Sequence, residues 1–289
     1  GVHSGDATMS MPPQTLSPLM VSKIVDISNK VAKGLNIRGL LNLQLAVKDG
    51  DVYMIEANPR ASRTVPFVSK AIGVPLAKIA TKVMLGRSLK ELGCVGVARY
   101  DHVAVKASVF PFLKLPGVDS ILGPEMRSTG EVMGIAETFD AACYKALISA
   151  GLKLPSCGGV YITVSDADKP QILDIARELQ DMGFCIYATK GTSTFLRERG
   201  LQTTTVYTIS QKMAPDALGL MRGGDINLII NTPSEASGAR RDGYMMRRLA
   251  VELEIPFLTT VQAARATVAA MKRARAGPMD VTDLGSYHR

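Results

Sequence analysis

From Gly159 onward the chain alternates between two periods. Five short apolar runs, GVYITV, FCIYAT, TTVYTI, INLIIN and PFLTT, are separated by helical stretches after Pro170, Thr192, Ala214, Ser237 and Val261. Strands this short and this apolar must be covered on both faces, and helices between consecutive strands force a parallel sheet. The second half is therefore α/β, with any ligand at the carboxyl ends of the strands. Candidate residues at those ends are Thr163 after the first run, Lys169 at the next helix start, Thr189, Lys190, Gly191 and Thr192 in the turn ATKGTS, and Asn231 and Thr232 in INTPS. Backbone amides and hydroxyls at a strand-to-helix turn suit an anion such as phosphate.

The first half follows another pattern. Ser17 is placed to cap a helix opened by Pro18, with Met20, Ile24, Ile27, Val31 and Leu35 at helical spacing and Gly34 marking its end. Two alternating runs, LLNLQLAVK and VYMIEAN, then flank Asp49-Gly50, a strong hairpin signal. Glu56 and Asn58 are two apart and share a face. A loop of Asp49, Gly50 and Asp51 sets Glu56 opposite Gln44; a strict two-residue loop sets Ile55 there instead. The first register gathers Gln44, Glu56 and Asn58 as oxygen donors with Arg60 just beyond, a set suited to magnesium and phosphate oxygens. A solvated hairpin face is the competing reading of the same spacing. Pro66–Ile72 and Pro75–Gly86 read as helices, His102–Phe110 as a strand, GPEMRSTGEVMG as a polar loop closing a sheet, and Thr138–Ala150 as a helix. His102 has no chemical partner nearby in sequence and reads as structural. Gly151–Gly159 is the best linker, which divides the chain into 1–150, a linker 151–158, and 159–289.

The 289 residues suit two domains, and an apolar content of 46% supports sizeable cores. Cys94, Cys143, Cys157 and Cys185 are scattered without a CxxC pair, which argues against zinc and for reduced thiols in a cytoplasmic protein. A net charge of +8 without a basic block interleaved with aromatics favours small anionic metabolites over nucleic acid. No apolar run is long enough to span a bilayer, so no membrane partner is expected.

LNLQLAV followed by YMIEANPRASRTVPFVSKAIGVPLAKIA resembles the end of an ATP-grasp domain. More narrowly, it resembles the second synthetic half of carbamoyl-phosphate synthase large subunits, and GVHSGD at the start and GPEMRSTGEVMG fit the same family. The second half resembles that family's regulatory domain, which shares its fold with methylglyoxal synthase. The resemblance runs from Gly1 to the C-terminus and implies an α/β chain: the end of an ATP-grasp domain, as an antiparallel hairpin with helices, then a parallel-sheet methylglyoxal-synthase-like domain. It also implies carbamate phosphorylation with ATP, in the formation of carbamoyl phosphate from bicarbonate and glutamine-derived ammonia, for pyrimidine and arginine biosynthesis. On the matching motif, Gln44, Glu56 and Asn58 hold Mg2+ or Mn2+, with Gln44 and Glu56 also touching ATP. Gly1, Val2, His3 and Ser4 match a nucleotide-contacting segment, and Arg60 and Arg63 steady the transferred group. Thr163, Lys169, Thr189, Lys190, Gly191, Thr192, Asn231 and Thr232 match the site for a nucleoside monophosphate effector such as UMP or IMP. Implied partners are the remainder of the large chain, namely the missing ATP-grasp half and the first synthetic half, and a glutamine amidotransferase small subunit. Two departures stand out. Ala107 replaces a glutamate that holds the activator ornithine in bacterial relatives, leaving Asp6 as the other acidic match, and Thr208 replaces a lysine of their nucleotide pocket. The alternatives are a non-catalytic nucleotide-sensing module and, less well matched, a methylglyoxal-synthase-type lyase, which needs a carboxylate where Pro233 and Ser234 follow Asn231.

Overall fold

A Pro-opened helix, a turn-closed hairpin and a glycine at a point of close approach set out the first part. The computed structural model describes residues 3–232 and 237–288. Strand β1 is Met9–Met11 and helix α1 is Pro18–Gly34, capped as expected by the Ser17 hydroxyl, which accepts from Met20 N at 3.2 Å. Strands β2 (Asn42–Lys48) and β3 (Asp51–Asn58) form the hairpin. Helix α2 is Thr64–Ile72, beginning two residues before Pro66, and α3 is Leu76–Met84 with Pro75 at its N-cap. Strands β4 (Val103–Val109) and β5 (Gly130–Ala136) pair antiparallel, β1 adds to β4, and α4 (Phe139–Ser149) covers them.

Helix α4 lies close to β5 because of Gly134. A β-carbon there would sit 2.1 Å from Ala142 O and 2.5 Å from Ala146 N, both backbone atoms of the helix. Alanines 141, 142 and 146 complete the close seam against Val105 and Ala107. The hairpin and α1 are much less covered. No residue of α1 is buried, and Tyr53, Met54 and Ile55 on β3 are each more than half exposed. An isolated two-stranded sheet is marginal in water, and these surfaces lie open among the described residues.

The second part is the parallel sheet. Its strands are β6 (Gly159–Thr163), β7 (Cys185–Thr189), β8 (Thr204–Val206), β9 (Leu228–Asn231) and β10 (Phe257–Leu258), in the order β10-β9-β6-β7-β8. The intervening helices are α5 (Lys169–Asp181), α6 (Lys190–Arg197), α7 (Ala217–Gly223), α8 (Ser237–Glu252) and α9 (Val261–Arg275). Successive residues of one strand serve opposite cores. Val160 and Ile162 of β6 pack with Leu228 and Ile230 of β9 against α5 and α9, while Tyr161 and Ile229 pack against Met221 of α7 and Met246 and Leu249 of α8. That two-sided burial is the cause of the unbroken apolar runs in the sequence.

The two parts share packing. Ala270 of α9 lies in the cluster built on α4, and Leu154 touches the cores on both sides. Residues 276–288 return to the first part: Met279 packs beside α4, Tyr287 lies edge-on to His102, and the His288 ring fills the space over Gly73. His102 is buried, with Nε2 donating to Ala71 O at 2.6 Å. All four cysteines are free, and no helix among the described residues is long and apolar enough to cross a membrane.

Candidate functional site

The hairpin turn is the strict two-residue one. Lys48 pairs with Asp51, and Asp49 (φ 52°) and Gly50 (φ 83°) both take the left-handed conformation of a type I′ turn. That register alone would bring Ile55 opposite Gln44. Instead the ladder shifts between Gln44 and Leu45, so Leu45 pairs with Met54 while Gln44 pairs with Glu56, leaving Ile55 as the extra residue of a bulge. Gln44 and Glu56 therefore do meet, by a bulge rather than by the three-residue loop. Asn42 pairs with Asn58, and Asn58 Nδ2 donates to Glu56 Oε1 at 2.9 Å. One carboxylate with two amide side chains on an open face is an all-oxygen donor set. It leaves most of a cation's shell to water and phosphate, as magnesium requires. No group of three or more His, Cys, Asp or Glu placed to hold a metal occurs among the described residues.

Past the hairpin, Arg60 is exposed, its Nη1 donating to Ala61 O. Arg63 is seated differently. Its Nη1 donates to Ser128 Oγ at 2.7 Å and Ser128 O at 3.2 Å. Ser128 is itself fixed by Asp6, whose carboxylate accepts from Ser128 N and Arg127 N, each at 2.9 Å. Asp6 is 3% exposed. Burial alone would raise its carboxyl, but the hydrogen bonds from Arg127 and Ser128 hold it below the usual carboxylate range. His3 turns back on the same segment, with Nδ1 accepting from Gly5 N at 3.0 Å. A β-carbon on Gly5 would lie 2.7 Å from Met126 Sδ, near the flexible end of an exposed side chain. Gly1 and Val2 lie outside the described residues, and Ser4 sits in the turn between His3 and Asp6.

Behind this segment, fully buried Lys106 lies 3.5 Å from Glu131 Oε2. Lys106 Nζ, Glu131 Oε2 and Arg127 Nε have no hydrogen-bond partner among the described residues. The pairing of Asp6 with Ser128 was invisible in the sequence, because the contact spans more than a hundred residues. GPEMRSTGEVMG was the one signal pointing there.

In the parallel sheet, Thr163, Thr189 and Asn231 end β6, β7 and β9 on the same edge. With Tyr161, Thr208, Ile209, Ala217, Asp242 and Met246 they line a notch of about 60 Å³. Thr189 Oγ1 lies 3.4 Å from both Thr163 Oγ1 and Thr192 Oγ1. Thr232 is buried and its hydroxyl accepts from Ser165 N at 2.9 Å. Lys190 and Gly191 form the exposed first turn of α6. The Lys169 ammonium reaches over that turn, 3.4 Å from a β-carbon built on Gly191, while pairing with exposed Asp166 at 2.7 Å. Pro233 and Ser234 lie outside the described residues. Asp242 is the unexpected member: buried on α8, it accepts from Ser210 N and Ser210 Oγ. No local sequence pattern marks it.

These two sites on these two folds define a class of chain, the end of an ATP-binding domain joined to a methylglyoxal-synthase-like sheet, and family comparison agrees. The model described as "Carbamoyl-phosphate synthase L chain, ATP binding domain" matches residues 1–92, and that described as "MGS-like domain" matches residues 171–259. The chain is 45% identical over 290 residues to a carbamoyl phosphate synthase large chain of Methanosarcina barkeri, covering 100% of this chain and 72% of that one. It is 50% identical over 294 residues to a "Carbamoyl phosphate synthase large chain, C-terminal section" of Methanocaldococcus jannaschii, covering 98% of this chain and 47% of that one. It is also 50% identical over 289 residues to the large chain of Archaeoglobus fulgidus, covering 100% of this chain and 27% of that one. The chain belongs to the carbamoyl phosphate synthase large chain family. It spans about half the length of the Methanocaldococcus relative and about a quarter of the Archaeoglobus one.

Proposed function

We propose that the chain works as the C-terminal section of a carbamoyl phosphate synthase large chain, supplying one wall of a site that phosphorylates carbamate from ATP. The observation that carries this reading is the meeting of Gln44 with Glu56 and Asn58 across the bulged hairpin, next to Arg60 and a Ser128-seated Arg63. Glu56, Gln44 and Asn58 would hold a divalent cation, magnesium or manganese, which neutralises phosphate charge. Phosphoryl transfer asks the protein mainly for positioning and charge neutralisation. Arg60, exposed just past the hairpin, meets the incoming anion. Arg63 is held by Nη1 alone, so its Nη2 and Nε edge can grip an oxyanion in a fork. His3 and Ser4, with Gly1 and Val2, border the nucleotide. The uncovered face of α1 and the exposed β3 residues support a further segment of large chain as the physical partner, with a glutamine amidotransferase supplying ammonia. We divide the chain functionally at 151–158. In the sheet after it, Thr163, Lys169, Thr189, Lys190, Gly191, Thr192, Asn231 and Thr232 form the site for a nucleoside monophosphate.

The test is an assay of carbamoyl phosphate formation from bicarbonate, ammonia and magnesium-ATP, with the chain alone and after co-purification with the preceding section of a large chain. The chain alone should give no turnover and the complex should. Glu56→Ala in the complex should abolish carbamate phosphorylation while leaving the fold intact, because an exposed polar face loses no core. Turnover by the chain alone at about one per second or faster, or full activity in Glu56→Ala, overturns the reading.

A further inference from the structure

Residues 112–119 of the first part are fastened to α8. Arg247 makes the central contact, with Nε on Asp119 Oδ1 and Nη2 on Asp119 Oδ2, both at 2.7 Å. The side chains are 9% and 28% exposed, so the fork is largely shielded from solvent. Burial works against the Asp119 charge, but the guanidinium and the Ile121 amide hold its carboxyl below the ordinary value. On either side, Tyr244 Oη donates to Gly117 O at 3.1 Å and Arg248 Nη1 to Val118 O at 3.1 Å. A two-bond guanidinium–carboxylate fork fixes orientation as well as distance, which a single carbonyl bond does not.

Both ends of this joint lead to sites. On α8, five residues before Arg247, Asp242 lines the notch and holds Ser210. Arg247 itself passes Gly243, where a β-carbon would lie 2.9 Å from its Nη1 and 4.0 Å from Asn231 Oδ1 at the end of β9. On the other side, the chain runs from Asp119 to Arg127 and Ser128, whose amides Asp6 holds and whose hydroxyl seats Arg63. Asp119 and Arg127 lie on one continuous stretch of chain, so a shift of α8 that moves Asp119 would carry along it toward the seat of Arg63, and the reverse would hold by linkage.

We propose that the Asp119–Arg247 fork is the joint coupling the notch of the parallel sheet to the seat of Arg63, with both residues acting as positioning residues. The inference rests on the reading of the notch as a nucleotide site only for its input; the mechanical link stands apart from it.

Backbone hydrogen exchange on the 289-residue chain tests it. Arg247→Gln should speed exchange at 117–121 and also at the remote amides of Arg127 and Ser128, by about 5- to 150-fold, the usual span of a coupling between sites. Asp119→Asn should do the same at Ser210, on the far side of α8. Arg247→Lys, which keeps the charge without the fork, should fall between. Exchange at residues 160–162 of β6 should not change, which shows that the fold is kept. If either single variant fails to fold, the double variant Asp119→Asn, Arg247→Gln leaves no lone buried charge and gives the same readout. Changes confined to 117–121 and 244–248 overturn the coupling. A second arm adds a nucleoside 5′-monophosphate, uridine or inosine, to the unaltered chain under calorimetry. Heat with added protection at 112–129 supports the coupling, and heat without it overturns the coupling alone. No heat overturns the nucleotide reading, while the variants still decide the joint.

Discussion

Replacing Asp6 with asparagine tests how firmly the seat of Arg63 is built. The carboxylate is 3% exposed and spends one oxygen on each of two backbone amides, Arg127 N and Ser128 N, both at 2.9 Å. Asparagine keeps the shape but offers one acceptor, and its NH2 faces the other amide. The variant therefore loses one charge-assisted bond, leaves one buried donor without an acceptor, and weakens the bond that remains. A charged hydrogen bond contributes about 1.5–3 kcal/mol and an orphaned donor costs about 1–3 kcal/mol, and the two overlap, so we expect about 3 kcal/mol for opening residues 127–128. That corresponds to exchange roughly a hundredfold faster at those amides near neutral pH. The pH dependence has a fixed sign. Because the folded carboxyl titrates below its ordinary value of 3.8, its stabilisation is fully present above that value and is lost as the pH falls through the folded value. Denaturant unfolding of the unaltered chain and the Asp6→Asn variant should thus differ near neutral pH and converge well below pH 3.8. Exchange at Arg127 and Ser128 within about threefold of the unaltered chain would refute the reasoning, because it would mean the two bonds contribute less than one neutral hydrogen bond.

Gly134→Ala should drive α4 away from β5 and lower stability by about 2 kcal/mol or more in a urea melt, since the new methyl meets helix backbone that cannot swing aside. Iodoacetamide in mildly alkaline buffer should label exposed Cys157 and Cys185 and spare Cys143, because burial pushes the Cys143 thiol up to about 11; peptide mass mapping reads this directly. Ornithine should give no heat with the chain and no activation of the complex, because Ala107 has no charge to offer and both Asp6 oxygens are already engaged by backbone amides.

Much of this architecture follows from local pattern. The strands of the parallel sheet fall on the five apolar runs, and the central β6 and β9 are buried on both faces, which leaves no room for polar alternation there, whereas edge strand β8 buries only Val206. The hairpin shows where pattern reading stops. Asp49-Gly50 marks a turn, and the donors do face one another, but a two-residue turn combined with a bulge at Ile55 gives the same facing as a three-residue turn without one. Residue periodicity cannot separate the two. The threonines of the notch were legible as strand ends converging on one edge of the sheet, whereas Asp242 reaches the notch from the middle of a helix. The Asp6–Ser128 and Asp119–Arg247 contacts were not legible at all. Each joins residues more than a hundred apart through single side chains, and nothing in either local sequence marks its partner.

The return of residues 279–288 to the first part changes what a cut in the chain would do. Peptide continuity between the two parts runs through 151–158, yet Tyr287 and His288 are lodged against His102 and Gly73, on the near side of that cut. With α4 against α9 as well, a protease that nicks the connector would produce two fragments that stay interlocked, separating only when the aromatic clasp and the alanine seam are unpicked together. A gene split at the same place would divide the polypeptide without dividing the molecule.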